Sequence, residues 1–119
     1  MEEMIQVFIS AIKKRDHVLK LIENLDGLKI KLVCENAEGL LVFHRGEVFS
    51  LVDNNESSVT YVIKGQRDSI NSLLEGNQKL RTLIQNKKLG ITAPFRTILL
   101  IESIFYLTKP EKQFDKFIS

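Results

Sequence analysis

Apolar residues in the first 25 positions fall at Met4, Phe8, Ala11 or Ile12, Val18 or Leu19, Ile22 and Leu25. Steps of three and four put them on one helical face, so the spacing predicts a leading helix over 1–25. Asp26-Gly27 is its expected stop, because Gly readily takes the left-handed conformation that ends helices. The period then shortens to two. Leu28, Ile30, Leu32 and Cys34 alternate with Lys29, Lys31 and Val33, the pattern of a strand with one buried face. After a polar turn over 35–39, segments 39–44 and 47–53 are rich in β-branched and aromatic residues, and only Arg45-Gly46 separates them. A two-residue connection containing Gly predicts a tight hairpin. A loop at 54–57 and a fourth strand over 58–64 follow. Loops this short make an antiparallel meander the economical arrangement.

Beyond Gly65 the period lengthens again. Ile70, Leu73 and Leu74 predict a short helix, with Asp68 or Ser69 available as N-cap and Gly76 closing it. Asn77 is a suitable cap for a next helix with Leu80, Leu83 and Ile84 on its inner face. Residues 88–92 (KLGIT) read as a fifth strand, and Pro94 suits the first turn of a last helix over 95–107. Phe95, Ile98, Leu99, Leu100, Ile101, Ile104, Phe105, Tyr106 and Leu107 wrap most of that helix, leaving a narrow polar stripe near Arg96 and Ser103. A helix this apolar is buried, faces a ligand cavity or packs on a partner. Pro110 stops it, and the tail over 108–119 offers Phe114, Phe117 and Ile118.

Length and composition bound the rest. The 119 residues make one domain, 1–119, with 44% hydrophobic and 27% charged residues, a globular balance. The 17 basic and 15 acidic residues leave a net charge of +2, which argues against nucleic acid as the main partner. The densest basic run, Lys13-Lys14-Arg15, reads as a solvated helix face or a patch for anionic headgroups. A lone cysteine, Cys34, excludes an internal disulfide and a thiolate metal cage, and its place in the alternation is that of a core residue. No apolar run approaches the roughly 18 residues of a membrane span, and the acidic N-terminus is not a signal peptide. The expectation is a cytoplasmic protein whose membrane contact is transient at most.

Catalytic chemistry finds little support. His17 and His44 are the only histidines, and neither lies in a nucleophile motif such as G-x-S-x-G. Ligand spacing for zinc, a dinucleotide fingerprint and a P-loop are all missing, so no metal and no cofactor is expected. Glu102 interrupts the apolar last helix, either bordering its solvent stripe or serving as a polar anchor at a cavity mouth.

From Leu28 onward the order of elements resembles the sterol carrier protein 2 (SCP2) family. The stretches that carry the resemblance are 59–65 (VTYVIKG), then Ile70, Leu73, Leu74 and Gly76, then Leu80, Leu83 and Ile84. Leu89-Gly90-Ile91 and Leu99, Ile104 and Phe105 complete the series, and 1–25 fits the family's leading helix. The resemblance implies an α+β fold: a five-stranded, mainly antiparallel sheet with helices packed on one face, enclosing a hydrophobic tunnel. It also implies non-catalytic lipid binding or transport, of fatty acid, acyl-CoA, isoprenoid or a sterol-like ligand. The cavity-lining positions would map onto Leu73, Leu80, Leu83, Ile84, Ile98, Ile101 and Phe105, with Phe114 and Phe117 as a lid. The C-terminal Phe117-Ile118-Ser119 is not a peroxisomal signal, and Thr92-Ala93-Pro94 stands where many members have Gly. Richness in Lys, Ile and Asn suits a bacterial source, for which sterol is the least expected of these ligands. The alternative is a protein that keeps the fold and uses the apolar helix and tail to form a homodimer or dock a partner enzyme.

Overall fold

A computed structural model of the chain describes residues 2–23, 25, 27–51 and 60–110. Two helices, α1 (Glu2–Lys13) and α2 (Asp16–Ile22), precede three strands, β1 (Leu28–Cys34), β2 (Ala37–His44) and β3 (Glu47–Leu51). Then come β4 (Thr60–Gly65), α3 (Arg67–Glu75), α4 (Leu80–Gln85), β5 (Leu89–Ile91) and α5 (Phe95–Thr108). Asp26, the 54–57 loop, the start of the fourth strand and the tail phenylalanines Phe114 and Phe117 lie outside the described residues.

The five strands form one sheet in the order β3-β2-β1-β4-β5. Three neighbouring pairs are antiparallel and one, β1 with β4, is parallel. The sheet is therefore mainly antiparallel, as expected, but it is not a meander. Beside β3, the inward side chain of β4, Ile63, would sit at the far margin of the sheet. Beside β1 it aligns with Leu32 and joins Ile30, Leu41 and Phe43 in the core. The eight residues between Leu51 and Thr60 supply enough chain for that step, at roughly 3.3–3.6 Å each. The expected hairpin is present. Arg45 and Gly46 both take positive φ, 52° and 79°, the requirement of the tight turn that matches strand twist.

One helix over 1–25 is corrected to two. Arg15 is extended (φ −112°, ψ 98°) and breaks the helix before Asp16. Its guanidinium leaves the helix to serve another end of the chain: Nε donates to the Thr108 carbonyl at 3.1 Å and Nη2 to the Lys109 carbonyl at 3.2 Å. Those carbonyls belong to the end of α5, where helical acceptors lack partners and a cation is favoured. The basic run is thus neither wholly solvated nor wholly a surface patch.

Helix caps differ from those expected. Gln66, Lys79 and Pro94 occupy the N-cap positions of α3, α4 and α5, without side-chain cap bonds. Gly76 does close α3, at φ 73°: its N–H donates to Leu73 and that of Asn77 to Ser72. A Cβ at Gly76 would also collide with Lys109, so the position is glycine for two reasons. On the sheet's inner face α1 covers β2 and β3, and α3 covers β1 and β4. Cys34 is buried there as a free thiol.

Candidate functional site

Helix α5 lies against α1, α2, α3 and α4. Its inward residues Ile101, Ile104 and Phe105 are fully buried, and the Phe105 ring stacks on Phe8 of α1 with centroids 4.7 Å apart. Its outward residues are not covered to the same degree: Phe95 is 63% exposed and Leu107 45%. Ile98, Leu99 and Leu100 are half-buried between these extremes. The polar stripe is narrower than expected, because Ser103 turns its hydroxyl back to the Leu99 carbonyl at 3.0 Å.

Glu102 is only 7% exposed, covered by an Arg81 side chain that is itself about half exposed. Its carboxylate binds the first turn of α4. Oε1 accepts the backbone N–H of Arg81 at 2.9 Å, and the Arg81 guanidinium closes on the carboxylate, Nη2 lying 2.9 Å from Oε2. Arg81 Nε completes the fork at 3.1 and 3.0 Å. A side chain from α5 therefore caps α4, whose own N-cap residue, Lys79, offers no acceptor. Burial pushes the Glu102 carboxyl up. The Arg81 side-chain and backbone hydrogen bonds and the charges of Arg81 and Lys79 outweigh it, holding the group below the ordinary value of 4.5. The same hydrogen bond and charge raise the Arg81 guanidinium.

The clefts among the described residues include two of different size. The larger, about 820 Å³, lies where β1 and β4 end and the α4–β5 turn begins. Its floor is apolar, made by Val33, Ile84 and Leu89. Its rim carries Glu35, Lys64, Lys87 and Lys88. Close approach of β5 to β4 builds this corner, since a Cβ on Gly65 would meet the Leu89 side chain and the Lys88 carbonyl. Lys87 holds φ 59° at the end of α4, donating to Ile84 at 3.0 Å while Lys88 donates to Leu83 at 2.8 Å. That is the motif that ends α3 at Gly76, here with a lysine in a conformation that costs a Cβ-bearing residue roughly 1–2 kcal/mol. The smaller cleft, about 310 Å³, lies between Lys13, Leu19 and Ile22 on one side and Val48 and Phe49 on the other.

Of the expected cavity residues, Leu73, Leu80, Leu83, Ile101 and Phe105 are sealed in the main core and line neither cleft. Ile98 packs at the margin of that core, and Ile84 both packs there and forms part of the larger cleft's wall. Phe114 and Phe117 lie outside the described residues. Neither His17 nor His44 lines either cleft, and both are exposed. The cleft lysines escape a reading of the sequence because Lys64 stands far from Lys87 and Lys88 along the chain. Only the pairing of Lys64 with Gly90 and Gly65 with Leu89 brings them together. The signal available was the Lys87-Lys88 pair set directly before a strand.

No protein-family model and no curated protein sequence matches the chain. Solved structures do. A UbiJ-SCP2 ubiquinone synthesis protein superimposes with a TM-score of 0.67 at 13% identity, over 89% of this chain and 88% of its own. The fold is that of sterol carrier protein 2. A crystal structure of sterol carrier protein 2 itself gives a TM-score of 0.65 at 11% identity, over 89% of this chain and 90% of its own. The SCP2 fold also occurs inside a much larger chain. The inverting sec-alkylsulfatase Pisa1 from Pseudomonas sp. matches 80% of this chain with 14% of its own, at a TM-score of 0.57 and 12% identity. No described helix of the present SCP2-fold chain is long and apolar enough to cross a membrane.

Proposed function

We propose that this protein is a non-catalytic lipid-binding or lipid-carrier module, taking up a fatty acid, acyl-CoA, isoprenoid or sterol-like molecule. The observation that carries the reading is the fold, shared with sterol carrier protein 2 along about nine-tenths of both chains. The α5 surface supports it: a helix apolar around most of its circumference leaves Phe95 and Leu107 largely exposed. In this proposal the chain of the ligand enters beside Ile84 and Ile98, at the core margin, and runs between α5 and the helices beneath it. Leu80, Leu83, Ile101 and Phe105 line its path once α5 lifts, with Leu73 at the inner end. Action in the cytoplasm belongs to the same proposal and rests on composition, a single buried thiol with no disulfide among the described residues.

Native mass spectrometry of freshly purified protein, followed by organic extraction, tests it. A stoichiometric lipid on the monomer or a dimer is the expected result. Protein that is empty, and that refuses fatty acid and acyl-CoA at high micromolar concentration, would overturn the reading. A mass that rises with protein concentration in that empty state would assign the apolar surface to self-association instead.

A further inference from the structure

We infer that the cleft between the β4–α3 junction and the α4–β5 turn holds the phosphate headgroup of an amphiphile whose apolar tail leaves across Ile84. This deepens the lipid-binding reading and rests on it. Three observations converge. First, the rim carries three lysines, Lys64, Lys87 and Lys88, against one carboxylate, Glu35. Three positive charges less one leave +2, and none of these lysines forms an ion pair among the described residues. A carboxylate would neutralise half of that. A phosphomonoester, which carries about −1.5 to −2 at neutral pH, matches it. Second, one of the three lysines occupies a backbone conformation that glycine would hold without strain, at φ 59°. The fold uses glycine in the same motif at Gly76, so folding alone does not call for a lysine at position 87. Third, the cleft is open on its solvent side but is not wholly polar. At about 820 Å³ it exceeds what an inorganic ion needs, and its floor of Val33, Ile84 and Leu89 is continuous with the core through Leu89 and Ile84. Lysine rim over apolar floor is the complement of an anionic head on a hydrocarbon tail.

The test measures binding of dodecyl phosphate, laurate, dodecanol and inorganic pyrophosphate by calorimetry, on the full chain and on lysine variants. Dodecyl phosphate should bind most tightly, then laurate, then dodecanol, and of these three added salt should weaken only the two anionic amphiphiles. Lys87→Gly should reduce affinity for dodecyl phosphate severalfold while its melting temperature stays level or rises. The triple variant Lys64→Gln, Lys87→Gly, Lys88→Gln should lose tenfold or more for dodecyl phosphate and nothing for dodecanol. If dodecanol and dodecyl phosphate bind the native protein equally well, the headgroup site is refuted while lipid binding stands. If pyrophosphate binds as tightly as dodecyl phosphate, the site serves a free phosphate and the amphiphile assignment falls. If none of the tailed ligands binds, the lipid-binding reading is itself overturned, and this inference with it.

Discussion

Glu102 shows how one side chain ties two helices. Its interruption of an apolar helix is legible in the sequence, but its partner is not, because Arg81 lies 21 residues away and meets it only when α4 packs on α5. Glu102→Gln keeps the shape and removes the charge, and should cost about 1–2 kcal/mol at pH 7 through the weakened cap. The pH dependence follows from the direction of its shift. The folded carboxyl titrates below 4.5, so its stabilisation is fully present above the unfolded value and is lost as pH falls through the folded one. Urea midpoints of the native protein and Glu102→Gln should therefore differ by a constant amount near neutrality and converge in acid. A difference that persists unchanged into acid would show that the carboxylate charge is not its source. Gly76 and Lys87 make the complementary case for the backbone, both at positive φ and both ending a helix. Gly76→Ala should lose about 1–2 kcal/mol or more, since it adds strain and a collision with Lys109. A thermal melt of Gly76→Ala that matches the native protein would contradict both causes.

Elements are legible where the neighbours that shape them are local. The alternation of Leu28, Ile30, Leu32 and Cys34 became β1, and the two-residue Arg45-Gly46 link became the β2–β3 hairpin, because side-chain period and turn chemistry are written in consecutive residues. The break between α1 and α2 is different. Lys13, Lys14 and Arg15 are good helix formers, and nothing near them demands a stop. The demand comes from the open carbonyls of Thr108 and Lys109, 93 and 94 residues away, which Arg15 reaches only by leaving the helix. Long-range capping thus overrides local propensity. Arg15→Ala should lower stability by about 1–2 kcal/mol and raise amide exchange in the last turn of α5 more than in α3. Exchange that rises equally in both helices would mean that Arg15 supports the fold generally and does not anchor α5 in particular.

At the scale of the whole molecule, the fold class was legible and the strand order was not, because a loop length states how far a chain can go and not where the core will reward it. The same limit applies to the candidate site: apolar identity marked Leu80, Leu83, Ile101 and Phe105, but it could not say whether they line space or fill it, and here they are sealed. A lipid can reach them only if α5 separates from the helices beneath, and the Glu102–Arg81 fork and the Arg15 bonds oppose that separation near the middle and at the end of α5. The proposed uptake then follows a population shift, in which the open form is rare and its fraction limits the observed association rate. Arg15→Ala weakens one tie without touching any proposed contact with the ligand. It should make the protein less stable and yet speed association of a fluorescent fatty acid in stopped-flow mixing, by about five- to thirtyfold if the lost 1–2 kcal/mol falls wholly on opening. Val48→Ala, on the strand at the opposite margin of the sheet, should cost a comparable amount, about 1–2 kcal/mol from two lost methyl groups, and leave the rate unchanged. Equal acceleration in both variants would point to entry by general loosening. No acceleration in either would mean that the ligand binds without moving α5, at the surface that Phe95, Ile84 and Ile98 already expose.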